Sequence, residues 1–191
     1  MVLNLTAGDL DLKQVKGSMV KLVVKIIKAN KSGIYDKLLS DKAKELINQR
    51  ILDPVWYPFD AYKECYDALC QVEGKNDPKV IMQWGRNSAE QVYSSLYKSS
   101  ITGANVKAAL DGFTRFHRTA YNFGYVEGKI ISDYEVQLYK DYDVEWANIF
   151  YLTIGWVQKF FELCLHTRIN VKVLRKPMTG AASTLISLSW S

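Results

Sequence analysis

The apolar residues of this chain change their spacing once, at Gly124, and that switch limits the folds open to it. Before it they recur every three or four positions, the period of a helix with one buried face. Val15, Met19, Leu22, Val23, Ile26 and Ile27 form a first stripe that ends near Asn30 and Gly33. Ile34 to Leu39 predicts a short helix. Ser40 caps the next, with Asp41 in its first turn, and this one runs to about Arg50. Pro54 and Pro58 bar regular helix from 53–58, because each pushes the residue before it out of the α region. Pro58 then opens a helix carrying Phe59, Tyr62, Tyr66 and Leu69.

Gly74 to Asp77 is a turn, and Pro78 opens a helix with the stripe Val80, Ile81, Trp84, Ala89, Val92, Leu96 and Tyr97. Gly85 inside it costs about 1 kcal/mol relative to alanine. Its presence implies close approach of a neighbouring helix or a ligand. Val106 to Tyr121 makes a further helix through Leu110, Phe113 and Phe116.

Past Gly124 the pattern is that of strands. The Gly124 to Gly128 segment is a turn that starts a sheet, not a phosphate-binding loop. Val126 to Ser132 and Tyr134 to Tyr142 form a hairpin about Ser132 and Asp133. In it Val136 and Leu138 are set against Glu135, Gln137 and Lys140. Trp146 to His166 is a long apolar helix. Asn170 to Leu174 and Ser183 to Trp190 are two more strands, joined around Pro177 and Gly180, with Ile186, Leu188 and Trp190 on one face. Helices followed by β-β-α-β-β specify an α+β fold, N-terminal helices packed on a C-terminal antiparallel sheet. Met1 to Gln14 is an irregular lead-in, and 15–191 is a single domain. A chain of 191 residues buries enough surface to fold without metal or disulfide.

The charge of +5 is scattered, with no run of five or six like charges, which argues against a nucleic-acid-binding tail. Cys65, Cys70 and Cys164 are odd in number and lack C-x-x-C spacing, so they read as reduced, buried thiols of a cytoplasmic protein. Met1 to Gln14 carries Asp9 and Asp11 and is no signal peptide. Gln158, Lys159 and Glu162 interrupt the most apolar stretch, which is a core helix rather than a membrane span.

Catalytic signals are missing. There are two histidines, neither in a metal-ligand spacing. His117 lies between Phe116 and Arg118, and His166 follows the C-terminal end of the apolar helix. Capping or surface placement accounts for both. Cys164 and His166, two apart on a helix, point away from each other. No nucleophile elbow or P-loop occurs. The sequence therefore predicts no catalytic residue, no metal site and no cofactor.

Aromatic residues are more telling. Tyr57, Trp84, Phe113, Trp156 and Phe160 predict an aromatic pocket for an apolar small molecule. An ordinary core and an aromatic dimer seam compete with that reading. Lys107, Arg115, His117 and Arg118 form one basic cluster. Arg168, Lys172, Arg175 and Lys176 form another. Each is a solvated face or a site for an anionic partner.

The segments VKGSMVKLVVKIIKAN, ILDPVWYPFDAYKECYDAL, GRNSAEQVYSSLYKS and LISLSW carry a resemblance. Through Trp56-Tyr57-Pro58 and through Gly85, Ser88, Ala89 and Glu90, the chain resembles a family of bacterial domains first noted as myxobacterial paralogues. That family is similar to the 4-vinyl-reductase-type sensory domain, whose relatives include effector-binding domains of aromatic-responsive activators and TRAPP tethering subunits. The resemblance covers nearly the whole chain. It implies a homodimer, an internal apolar ligand and a 4-vinyl-reductase-like arrangement. Many relatives carry cysteines before the last strand, some of them zinc ligands. Here Leu174 to Ser183 has no cysteine, histidine or carboxylate, so no zinc site is expected. The expected function is a non-catalytic sensory module that signals through a partner protein, or a structural adaptor without a ligand.

Overall fold

The helix-then-sheet order holds in the computed structural model, which describes residues 12–97, 105–142, 144, 146–176 and 183–191. The fold is α+β: among the described residues, seven α-helices with antiparallel sheets. The chain divides into two compact units. The first is Met1–Glu73 with Thr119–Phe123, and the second is Gly74–Arg118 with Gly124–Ser191.

The first unit contains β1 (Gln14–Lys16), α1 (Gly17–Ala29), α2 (Ile34–Leu38), α3 (Asp41–Asn48), β2 (Trp56–Pro58) and α4 (Phe59–Val72). β1 and β2 pair antiparallel with Val15 opposite Tyr57. Val15 was expected in the first helix and instead belongs to a strand. The reason is a tight junction at Gly17, whose N–H donates to the Val55 carbonyl at 2.8 Å, and where a Cβ would stand 2.8 Å from the Tyr57 ring. Leu22 of the expected stripe is exposed. Ser40 caps α3 as expected, accepting from the Ala43 N–H at 3.3 Å. Pro58 ends β2 rather than opening the helix, and the Phe59 N–H donates to the Lys13 carbonyl at 2.9 Å. Val20, Phe59, Tyr62 and Leu69 lie in this unit's interior.

The second unit contains α5 (Pro78–Val92), one π-helical turn (Tyr93–Tyr97), α6 (Val106–Ala120), β3 (Tyr125–Ser132), β4 (Glu135–Asp141), α7 (Ala147–Leu165), β5 (Asn170–Arg175) and β6 (Ser183–Ser189). The last residues of α6 cluster with the first unit. Asp77 caps α5 through the Lys79 N–H at 2.8 Å, with Pro78 in the first turn, where its missing N–H costs nothing. The sheet order is β3-β4-β6-β5, every pair antiparallel. Gly124 turns the chain into this sheet at φ +79.

α5 and α7 cross at two glycines. A Cβ on Gly85 would overlap the Leu152 carbonyl, and one on Gly155 would overlap the Met82 carbonyl. The crossing is flanked by Arg86, which donates to Gln158 at 2.9 Å and to Glu162 at 2.8 Å. The expected close approach at Gly85 is thus a helix, α7. Residues 1–11, the loop through Pro177 and Gly180, and the side chains of Leu96 and Tyr97 lie outside the described residues.

Candidate functional site

Helical spacing lines α6 and α7 of the second unit with rings. Trp156 and Phe160 stand one turn apart on α7 and stack at 4.8 Å between centroids, 17° from parallel. Phe116 of α6 also stacks on Trp156, at 4.7 Å and 19°. Phe113 leans on Trp156 at 5.9 Å, and Tyr93 meets Phe160 edge-on at 6.5 Å. Trp156 and Phe160 are buried, whereas Phe116 is half-buried. Val126, Val136, Leu138, Ile186 and Leu188 of the sheet belong to the same core. Trp156 Nε1 is buried with no acceptor among the described residues. Buried polar atoms in native proteins are nearly always hydrogen-bonded, so this donor needs an explanation.

Of the five pocket residues expected from sequence, the fold brings together Phe113, Trp156 and Phe160. Trp84 is half-buried on α5. Tyr57 belongs to the first unit, where its hydroxyl accepts from the Leu52 N–H at 2.8 Å.

Beside the ring stack lies a polar cluster that the sequence reading missed. Lys140 was set against Val136 and Leu138 as an outward residue. A strand alternates with period two, so Lys140 shares their face, and it is buried. Its Nζ lies 2.6 Å from Thr153 Oγ1 of α7 and 4.0 Å from the centre of the Tyr142 ring. Thr184 of β6 is its register partner. Burial holds the Lys140 amine well below the ordinary lysine range. His117 was expected as a capping or surface residue and is instead buried, its ring 5.5 Å from Tyr142. Burial first, then the charges of Lys140 and Arg118, push its pKa down to about 3. The basic cluster expected on α6 is therefore split: Lys107, Arg115 and Arg118 are exposed, while His117 is inside. His166 is exposed and ends α7 in the left-handed conformation at φ 52, the capping role expected of it.

The three cysteines are free and buried, and burial pushes each thiol up to about 12, so they are poor thiolate ligands. Among the described residues, no group of three or more His, Cys, Asp or Glu side chains is placed to hold a metal ion. No helix among them is long and apolar enough to cross a membrane. The first unit carries a groove of about 340 Å³ between α1, α2 and α3, rimmed by Lys28, Lys31 and Lys44 over Ile27, Tyr35 and Ile47.

No family model matches the sequence, and no curated protein matches it. Solved structures do match. The chain has the fold of H-NOX domains. An oxygen-binding H-NOX domain related to soluble guanylate cyclases, in its oxygen complex, superposes with a TM-score of 0.61 at 12% identity, covering 92% of this chain and 95% of that one. An Fe(II) unliganded H-NOX mutant from K. algicida gives 0.62 at 12%, with 92% and 96% covered. A structure solved to probe heme distortion in the H-NOX family gives 0.60 at 12%, with 92% and 95% covered.

These matches correct the family resemblance read from sequence: the structural relatives are H-NOX domains, not 4-vinyl-reductase-like domains. The motifs that carried that resemblance are local devices. Trp56-Tyr57-Pro58 forms a short strand, and Gly85 permits a helix crossing. Neither fixes the topology that separates one α+β fold from another.

Proposed function

We propose that this chain is a non-catalytic sensory module of H-NOX fold that seats a flat, largely apolar molecule against Trp156 and signals through a separate protein. The observation that carries this reading is the buried Trp156 Nε1 inside a stack of rings. A ligand that replaces the half-buried Phe116 ring and brings an acceptor to the edge of the indole would satisfy that donor. It would also push α6 away from α7, giving a movement for a partner to detect. Binding shifts such an equilibrium only by its difference in affinity for the two states.

Heme is the ligand that the structural relatives bring to mind, and the described residues do not fit it. A porphyrin needs a slot for its plane beside an axial ligand. In the second unit the Trp156 ring is stacked against both Phe116 and Phe160, whose centroids lie 4.7 and 4.8 Å away. The cavity next to Tyr142, on which the His117 ring packs, measures about 10 Å³, room for one water. His166 faces solvent.

Native mass spectrometry of the purified chain, with flavone as a flat keto-aromatic probe, tests the reading. A small molecule should be retained or flavone bound, with tryptophan quenching. Trp156→Phe should weaken binding about tenfold, the effect of one lost hydrogen bond of about 1.4 kcal/mol. Neither a retained molecule nor flavone binding, or a His117-dependent heme absorbance on the purified chain, would overturn it.

A further inference from the structure

The sheet of the second unit ends at β3, which among the described residues pairs with β4 alone. The free edge of such a strand presents unpaired N–H and C=O groups, a template for one more strand. Apolar side chains gather on it. Tyr125, Ile130 and Ile131, with Tyr134 in the hairpin turn, are each between 43% and 61% exposed. Gly128 faces inward, where a Cβ would overlap the Leu110 side chain of α6. Its neighbours Glu127 and Lys129 therefore project from the outer face, and both are exposed. Across the ladder Glu127 stands opposite Tyr139, and Lys129 opposite Gln137, so neither charge meets its opposite there. Glu127 accepts a hydrogen bond from the Tyr125 hydroxyl at 3.1 Å.

We propose that β3 is a self-pairing edge: two copies of this chain join antiparallel about a two-fold axis at Gly128, and their sheets become continuous. In that register Glu127 of one copy lies opposite Lys129 of the other, and Lys129 opposite Glu127. Val126 lies opposite Ile130, and Tyr125 opposite Ile131. Opposite charges and aromatic–β-branched pairs both stabilise antiparallel neighbours, whereas like charges directly opposite destabilise them. Moving the axis by one residue sets Glu127 against Glu127, or Lys129 against Lys129. The charges thus select this register. A lysine and a bulge on an edge strand are common devices for preventing such pairing. Here the bulge falls at Ile130–Ser132 and leaves Val126 to Ile130 regular, and the lysine has a glutamate to meet. The seam is short, so the dimer is weak and exchanging, with a Kd on the order of 0.1 mM.

Sedimentation equilibrium of the full chain, from about 10 µM to about 1 mM, spans that affinity. We expect a monomer–dimer equilibrium in the wild type. Glu127→Lys alone and Lys129→Glu alone should each weaken it at least about tenfold, because each puts like charges across the seam. An equimolar mixture of the two variants should recover the dimer, since the mixed pair sets every lysine opposite a glutamate. In parallel, deuterium exchange at the 125–131 amides of the wild type should slow as its concentration rises, a readout that needs no variant. Three results would sink the pairing: a wild-type monomer throughout the range, a dimer indifferent to both swaps, or exchange at 125–131 that does not depend on concentration, as when the chain's own residues cover the edge.

Discussion

His117 and Lys140 set the acid sensitivity of this protein residue by residue. Both are bases whose charged form is disfavoured by burial. An unfolded histidine titrates near 6.5, while His117 in the fold titrates near 3. The unfolded state therefore binds a proton through this range that the native state refuses. Stability should fall as pH drops from 6.5 toward 3, by on the order of 3–4 kcal/mol from this site. Urea unfolding midpoints across that window should fall steeply in the wild type and more gently in His117→Gln. At Lys140 the sign is the same and the window lies higher, below the ordinary lysine pKa. Replacing a buried charge with an apolar group of similar length is commonly neutral or stabilising. Freed Thr153 can turn its hydroxyl to a carbonyl of its own helix. Lys140→Met should therefore raise stability at neutral pH by about 1 kcal/mol, read as a higher urea midpoint with unchanged slope. Only one of the two was legible in principle. Counting by twos from Val136 places Lys140 inside, where type alone had placed it outside. His117 has no such signal, because its burial depends on Tyr142, twenty-five residues away.

At the scale of elements, the glycine pair shows what a periodic pattern can and cannot tell. The apolar run of α7 located that helix to within a residue, and Pro78 located the start of α5, whose expected stripe ran on to Tyr97 although the α-helix ends at Val92 and gives way to a π-helical turn. Gly85, out of place in a helix, announced a close neighbour. Gly155 was hidden in an apolar run, so the partner helix could not be named. The packing now decides between two opposed effects. Alanine at 85 gains about 1 kcal/mol of helix propensity. It also puts a methyl into the Leu152 carbonyl, with the Trp156 backbone nitrogen 2.9 Å away, and neither is a side chain that can swing aside. Overpacking of this kind costs about 1–3 kcal/mol or more. Gly85→Ala should thus be a net destabilisation of about 2 kcal/mol, seen in the urea midpoint. By contrast Ser40→Ala, which removes the cap of α3 in the first unit, should cost about 1 kcal/mol.

On the scale of the whole molecule, the order of helices and strands was readable, because each element carries its own period. The choice among α+β folds was not, because strand order β3-β4-β6-β5 rests on pairings such as Leu138 with Ile186, far apart in sequence. The candidate site was half legible for a related reason. Phe113, Trp156 and Phe160 share a core because their stripes face one sheet, while Tyr57, equally aromatic, belongs to another unit. At 12% identity the likeness is one of fold alone, and in the second unit here Trp156 packs in a stack of rings. That has a direct consequence for heme. Opening a slot would separate Trp156 from Phe116 or Phe160, and each such ring pair contributes about 0.5–1.5 kcal/mol beyond the area it buries. An axial bond from His117 would also draw that imidazole away from the side chains that enclose it. Hemin titrated into the purified chain should therefore give an absorbance change that is weak and the same in wild type and His117→Ala, as for adsorption to a surface. A sharp band lost in His117→Ala would mean that the rings part to admit a cofactor, and that their stacking is a closed form of the site rather than its resting core.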